Sequence, residues 1–184
     1  MSTVVVSCGA LALHVRAIAA RRGWDVDVHA LPPELHNRPE RIAPAVAELV
    51  AQSNKVLALA YADCGTGGAL DGYRRLRGLT CYDVFAHDEV AELMAEQPGT
   101  YFLTDYLVRT FDRSIWRSLG LDRHPELRDD YFGNYTRVVW LAQHATPVLA
   151  AKAARAASLL GLPLERLDVG DAGLEAALEE ALCS

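Results

Sequence analysis

The chain has 184 residues, 51% of them apolar and 23% charged, with 18 basic against 24 acidic residues and a net charge of −6. That is one domain's length with enough apolar content for a self-sufficient core, which excludes a disordered, collagenous or low-complexity chain. Its arginines are scattered and outnumbered by acids, which argues against a nucleic-acid binder, and the longest apolar run, Val56 to Ala62, is far short of the about 20 residues that a membrane helix needs.

In chain order, six short apolar runs read as strands: Thr3–Ser7, Asp25–Leu31, Lys55–Tyr61, Thr80–Phe85, Thr100–Thr104 and Leu164–Val169. The first three are near-continuous apolar runs, as expected of strands covered on both faces of a parallel sheet. Helical segments fill the intervals. Gly9–Arg22 carries Leu13, Ala17 and Ile18, ends in two arginines and stops at Gly23. Pro39 suits a first helical position and opens a helix with Ile42, Val46, Leu49 and Val50 inward. Thr146-Pro147 reads as a cap followed by proline, starting a helix that stops at Gly161, and Glu175–Leu182 is a last short helix. The expected fold is a single α/β domain over residues 1–184, a three-layer doubly wound sandwich on a mostly parallel sheet of five or six strands. The start, Met1 running straight into Thr3-Val4-Val5-Val6, shows no secretory leader. Four cysteines without a CxxC pair suit reduced thiols, so a cytoplasmic location is expected.

In open α/β sheets, ligands bind beyond the carboxyl ends of the strands. Cysteine, histidine and carboxylate recur at those ends: Cys8-Gly9, then His36-Asn37, then Asp63-Cys64-Gly65-Thr66-Gly67-Gly68, then His87-Asp88-Glu89, then Thr104-Asp105. Each has a plainer reading. Cys8 alone could be a small buried hydrophobe and His36 a loop histidine held by backbone. The glycines could make a tight turn, and Asp88 could cap a helix through Val90, Leu93 and Met94. Gathered at one rim, however, Cys8, Cys64 and His87 make a sulfur–nitrogen set suited to zinc or ferrous iron. His36, Asp88 and Glu89 are then candidate acid/base groups. Gly9, Asn37, Gly65, Thr66, Gly67, Gly68 and Thr104 are candidates for holding a ligand, the amides after Cys64 receiving its anionic part. Cys81 reads as a packing residue inside the fourth strand. His14, His29, His124 and His144 read as structural.

At these residues the sequence resembles the 1638 domain-of-unknown-function family. The resemblance is carried by Ser7-Cys8-Gly9-Ala10-Leu11, by Leu31-Pro32 through Leu35-His36-Asn37-Arg38-Pro39, and by Tyr61-Ala62-Asp63-Cys64-Gly65. Ala86-His87-Asp88, Pro98-Gly99 through Thr104, Leu160-Gly161-Leu162 and Val169-Gly170-Asp171 extend it. It implies site roles for Cys8, His36, Asn37, Cys64, Gly65, His87 and Asp88. It also implies proximity to corrinoid-dependent methyltransferases, hence thiol, methyl-group or cobalamin chemistry. The chain departs from the pattern at Ala62-Asp63, where the family has Gly-Leu, and at Glu89, where the family has a cysteine. Either Glu89 puts a carboxylate in place of that thiolate, with Cys81 as another stand-in, or the metal site is changed or absent in this branch.

Three readings follow. One is a metal-dependent enzyme, a zinc- or iron-dependent transferase or lyase acting on a small molecule. Another is a non-catalytic accessory protein that binds a corrinoid or metal and partners a methyltransferase or corrinoid protein. A third is metal-free redox chemistry of Cys8 and Cys64.

Overall fold

A computed structural model describes residues 3–53 and 56–183 of the chain; Lys55, where the third expected strand begins, and the side chain of Cys183 lie outside that description. The elements run β1 (Thr3–Cys8), α1 (Ala12–Arg22), β2 (Val26–Leu31), α2 (Ile42–Gln52), β3 (Val56–Ala60), α3 (Cys81–Glu96), β4 (Thr100–Thr104), α4 (Asp105–Phe111), α5 (Arg128–Phe132), β5 (Arg137–Ala142), α6 (Pro147–Leu160), β6 (Leu164–Asp168) and α7 (Ala172–Cys183). The fold is α/β and every strand pairing is parallel. The six strands form two sheets of three, ordered β2-β1-β3 and β4-β5-β6, rather than one continuous sheet. The chain divides accordingly into two compact units, one of residues 1–87 with 171–184 and the other of residues 88–170. No helix among the described residues is long and apolar enough to cross a membrane.

In the first unit β1 is central. It is paired in register Val5↔Val28 through Cys8↔Leu31 with β2, and Val5↔Ala58 through Ser7↔Ala60 with β3. Its residues Val5 to Cys8 are all buried, as the uninterrupted apolar run requires. Helix α1 ends as its sequence dictates. Gly23 takes the left-handed conformation (φ 65°) that a side chain resists, and its N–H donates to the carbonyls of Ala19 and Ala20. Arg21 and Arg22, in the last turn, reach Glu175 and Glu179 of α7.

The fourth expected strand, Thr80–Phe85, is instead the start of α3. The carboxylate of Asp83 accepts the N–H groups of Leu79 and Thr80 at 2.8 and 2.9 Å and the Thr80 hydroxyl at 3.3 Å. That is the reach-back half of a capping box, and it nucleates a helix over an apolar run that alone is ambiguous. The helix breaks at Ala86, whose φ of −155° and ψ of 66° are non-helical.

In the second unit β5 is central, between β4 and β6. Its run Arg137–Ala142 is buried throughout and is not among the strands expected from the sequence, although Val138 to Ala142 is an apolar run of strand length. Around it pack Leu103, Val108, Phe111, Leu149, Ala153 and Leu160. Thr146 caps α6 through the Leu149 N–H, and Gly161 (φ 72°) ends it. The buried Arg137 guanidinium ties this unit together. It donates to the Thr100 hydroxyl at 2.9 Å and the Leu93 carbonyl at 3.0 Å, and pairs with Glu96 and Glu165 at 3.1 Å each. Both glutamates are more than half exposed, so the neutral acceptors carry most of the effect. Arg137→Met, which keeps the stem and removes the donors, is expected to cost about 2 kcal/mol in chemical denaturation. An unchanged midpoint would deny the guanidinium this role.

Candidate functional site

A sheet ordered β2-β1-β3 reverses direction at β1, and the crevice at such a switch point is where α/β sheets bind ligands. The order β4-β5-β6 has no reversal. The carboxyl end of β1 is therefore the place to look, and Cys8 ends that strand. Gly9 follows because nothing larger fits. A Cβ there would lie 2.7 Å from the Leu31 carbonyl oxygen and 2.7 Å from Pro33 Cδ. This close approach lays the segment after β2 against the end of β1.

That segment folds into a short 3-10 helix, Pro33–Asn37, which carries His36. His36 Nδ1 lies 3.1 Å from the Pro33 carbonyl oxygen, an acceptor only, so Nδ1 carries the proton and Nε2 presents its lone pair. Burial holds the His36 pKa below the ordinary imidazole value, opposed by that carbonyl contact. The ring's Nδ1 and Nε2 lie 3.8 and 3.7 Å from Cys8 Sγ, so the sulfur faces the ring as a whole rather than one nitrogen. The same sulfur accepts the Ala10 N–H at 3.3 Å.

The third strand delivers Tyr61 and Cys64. Cys64 holds a left-handed conformation (φ 52°), rare for a residue with a side chain, and its N–H donates to the Leu79 carbonyl at 2.8 Å. The loop beyond it is organised by Asp63. One carboxylate accepts the amides of Gly65, Gly67 and Gly68 at 3.2, 3.3 and 2.8 Å and the Thr66 hydroxyl at 3.0 Å. The expectation that these amides hold an anionic ligand is thereby corrected, since the chain supplies its own anion. The Gly68 amide, helped by the others, keeps Asp63 below the usual carboxylate range.

Cys81 is the first residue of α3, not a strand residue. A cavity of about 190 Å³ is lined by His36, Cys64 and Cys81 together with Leu79, Thr80 and Tyr82. The three thiols sense one another. Burial first, then charge on Cys64, pushes the Cys8 thiol up to about 12. Burial likewise pushes Cys64 up to about 11. Cys81 is raised by burial and by charge on Cys8 and Cys64. The donors are splayed: among the described residues, no three of these four side chains bring their ligand atoms within 4.8 Å of one another.

The remaining candidates fall elsewhere. His87 is exposed and does not line this cavity, and Asp88 and Glu89 are exposed further along α3. The break at Ala86 separates His87 from Cys81 at the helix start. Asn37 is exposed. Thr104, in the second unit, caps α4 by accepting the Leu107 N–H. His14 is buried against Asp171, with Nδ1 to Oδ1 at 2.8 Å. A larger cavity of about 350 Å³ beside Arg75 and Arg77 has both arginines ion-paired, to Asp71 and Glu180.

The comparisons with known proteins bear on the whole chain. Residues 30–178 match the family described as protein of unknown function (DUF1638). The chain belongs to that family. The matched span contains His36, Tyr61, Cys64 and Cys81, while Cys8 precedes it. No curated protein and no solved structure matches the chain.

Two outcomes follow from the site's electrostatics. Because the folded pKa of Asp63 lies below its unfolded value of 3.8, its stabilisation is complete well above that value and is lost as the pH falls from there through the lower, folded value. Asp63→Asn is therefore expected to cost about 1 kcal/mol at pH 7, after discounting for solvent, and nothing near pH 2. Urea titrations at the two pH values measure the difference, and a pH-independent gap would contradict it. For the thiols, pKa values of about 12 and 11 leave roughly 0.01% of Cys8 and 0.1% of Cys64 ionised at pH 8, against about a tenth for a thiol at 9.0. Mass-mapped alkylation by iodoacetamide should then be at least about fiftyfold slower at both than in urea-unfolded chain.

Proposed function

We propose that this protein is a metal-dependent enzyme acting on a small molecule, with Cys8, Cys64, Cys81 and His36 holding zinc or ferrous iron. One observation carries the reading. His36 is anchored through Nδ1 to a backbone carbonyl, stands with both ring nitrogens 3.7–3.8 Å from the buried Cys8 sulfur, and lines one cavity with the half-buried Cys64 and Cys81. A metal-ligating histidine is normally fixed in this way, its second nitrogen donating to a carbonyl or carboxylate. Sulfur with imidazole is the donor chemistry of zinc and iron centres rather than of magnesium or calcium. The splayed donors would have to draw in, since ligand atoms around tetrahedral zinc lie about 3.5–3.8 Å apart.

This ligand set keeps Cys8 and Cys64 from the sequence reading, takes His36 as a ligand, and replaces the exposed His87 with Cys81. On this reading Cys81, rather than Glu89, stands in for the cysteine that the family pattern has at Glu89. When bound, the ion would polarise a substrate atom or lower the pKa of a bound thiol or water. The chain's own part is to hold the imidazole neutral by burial. A cavity of about 190 Å³, below the roughly 300–1,000 Å³ of sites for drug-sized ligands, suits a compact substrate such as a small thiol or methylated compound. It suits a corrinoid macrocycle poorly, and so favours the enzyme over the corrinoid-carrying alternative.

Coordination requires thiolates, and all three thiols are protonated at pH 7. Zinc binding is therefore expected to release close to three protons per ion, read by calorimetry in buffers of different ionisation enthalpy. At a hundredfold excess over Kd, zinc adds about 2.7 kcal/mol of stability and raises the melting temperature. Cys64→Ser should abolish most of both effects. Absence of proton release and of any thermal shift in the unaltered protein would sink the proposal.

A further inference from the structure

The loop between β3 and α3 carries a second concentration of charged groups, which the thiol cavity does not use. Tyr73-Arg74-Arg75-Leu76-Arg77 places three of the chain's 18 basic residues within four positions, in a protein of net charge −6. The stretch runs beside β3 as an extra rung. The Leu59 N–H donates to the Arg74 carbonyl at 2.7 Å and the Leu76 N–H to the Leu59 carbonyl at 3.2 Å, a parallel bridge between Leu59 and Arg75. Leu76 is buried, so the alternation of an extended chain turns Arg75 and Arg77 the other way. Together with Arg74 they line a cavity of about 350 Å³, which Ala177 and Ala181 of α7 also line. That volume falls within the roughly 300–1,000 Å³ of small-molecule sites. The three guanidinium groups are not alike. Arg75 is fixed: its Nε donates to Asp71 Oδ1 at 2.7 Å and its Nη1 to the Leu76 carbonyl at 3.0 Å, and its side chain is only 21% exposed. Arg77 pairs with Glu180 at 2.5 Å, but its side chain is 85% exposed, and a pair in that much water is worth little and exchanges readily. Arg74 is exposed and makes no ion pair among the described residues. The cations on the wall thus outnumber the two acids, Asp71 and Glu180.

We propose that this cavity is a binding site for a small phosphate monoester, distinct from the thiol cavity and independent of whether a metal binds there. The planar fork of a guanidinium matches two phosphate oxygens at once. Arg75 is already immobilised, so its engagement costs little further side-chain entropy. Arg74 and Arg77 swing onto the phosphate from solvent, Arg77 leaving Glu180. A phosphate monoester carries close to two charges above its second pKa of about 6, and so outcompetes the single charge of that carboxylate. The cavity is larger than the anion alone requires. At about 30 Å³ for a water-sized group, the five heavy atoms of bare phosphate take under half of it. The rest lies against the methyl groups of Ala177 and Ala181, which suit a compact apolar body.

The test is calorimetric titration of the full chain with phenyl phosphate at pH 8 and constant ionic strength, with inorganic phosphate and benzoate in parallel. Phenyl phosphate should bind most tightly of the three. Arg74→Gln and Arg77→Gln alter exposed groups, should melt at the unaltered temperature without ligand, and should each weaken binding about tenfold. Glu180→Gln removes the competing carboxylate and should tighten it. Arg155→Gln removes the same charge from the second unit and should leave it unchanged. Absence of phenyl phosphate binding would overturn the site. Equal weakening by Arg155→Gln would overturn it as well, because general charge would then account for the affinity. Inorganic phosphate binding as tightly as the ester would remove the organic body from the proposal, and tighter binding of benzoate would remove phosphate recognition. No arm of this experiment involves the thiols, so the metal reading is tested separately.

Discussion

Cys8 closes a strand that is paired on both sides, with β2 in register Cys8↔Leu31 and with β3 in register Ser7↔Ala60. Parallel pairing puts the carboxyl ends of all three strands at one rim, and the order β2-β1-β3 makes the chain leave β1 where the sheet reverses. The arrangement of the first unit's chemistry depends on that constraint. It brings the loop after β2, with His36, and the loop after β3, with Cys64, to either side of the β1 terminus. Gly9 then allows the backbones to approach more closely than any side chain would permit.

The rim is a place where polar groups are kept dry. Desolvation is the largest cause of the raised thiol pKa values, and it is also what keeps the imidazole neutral. Cys8 is buried and Cys64 and Cys81 are half-buried beside the imidazole, and leaving the buried Tyr61 hydroxyl unpaired costs stability. Apolar residues of the same volume would fill this space at lower cost, as they do around β5 in the second unit, where Trp140 finds a partner for its N–H in Asp105 at 2.9 Å. That buried polar group is satisfied, whereas the Tyr61 hydroxyl has no partner among the described residues.

The departures from the family pattern also find physical places. Asp63 stands where the pattern has leucine, and its carboxylate gathers three amides of the glycine loop, stabilising the turn that holds Cys64 at positive φ. Glu89 stands where the pattern has cysteine and is exposed, whereas Cys81 lines the cavity. A thiol near the start of α3 thus lies where one further along the same helix would not.

Local chemistry made much of this protein legible from residues alone. The α/β alternation, five of the six strands, and the stops at Gly23 and Gly161 follow from short-range rules of periodicity, capping and positive φ, and the structure has them. Cys8, His36 and Cys64 were legible as site candidates because they immediately follow strands. What stayed hidden was decided by groups distant in sequence or by competing local signals. The apolar run at Thr80–Phe85 suits strand or helix equally until Asp83 caps it, and that choice moved Cys81 into the site and His87 out of it. The division into two three-stranded sheets, the desolvation that raises the thiol pKa values and the isolation of the Tyr61 hydroxyl are properties of packing. Burial and partnership are relations between segments that the order of residues along the chain does not by itself contain.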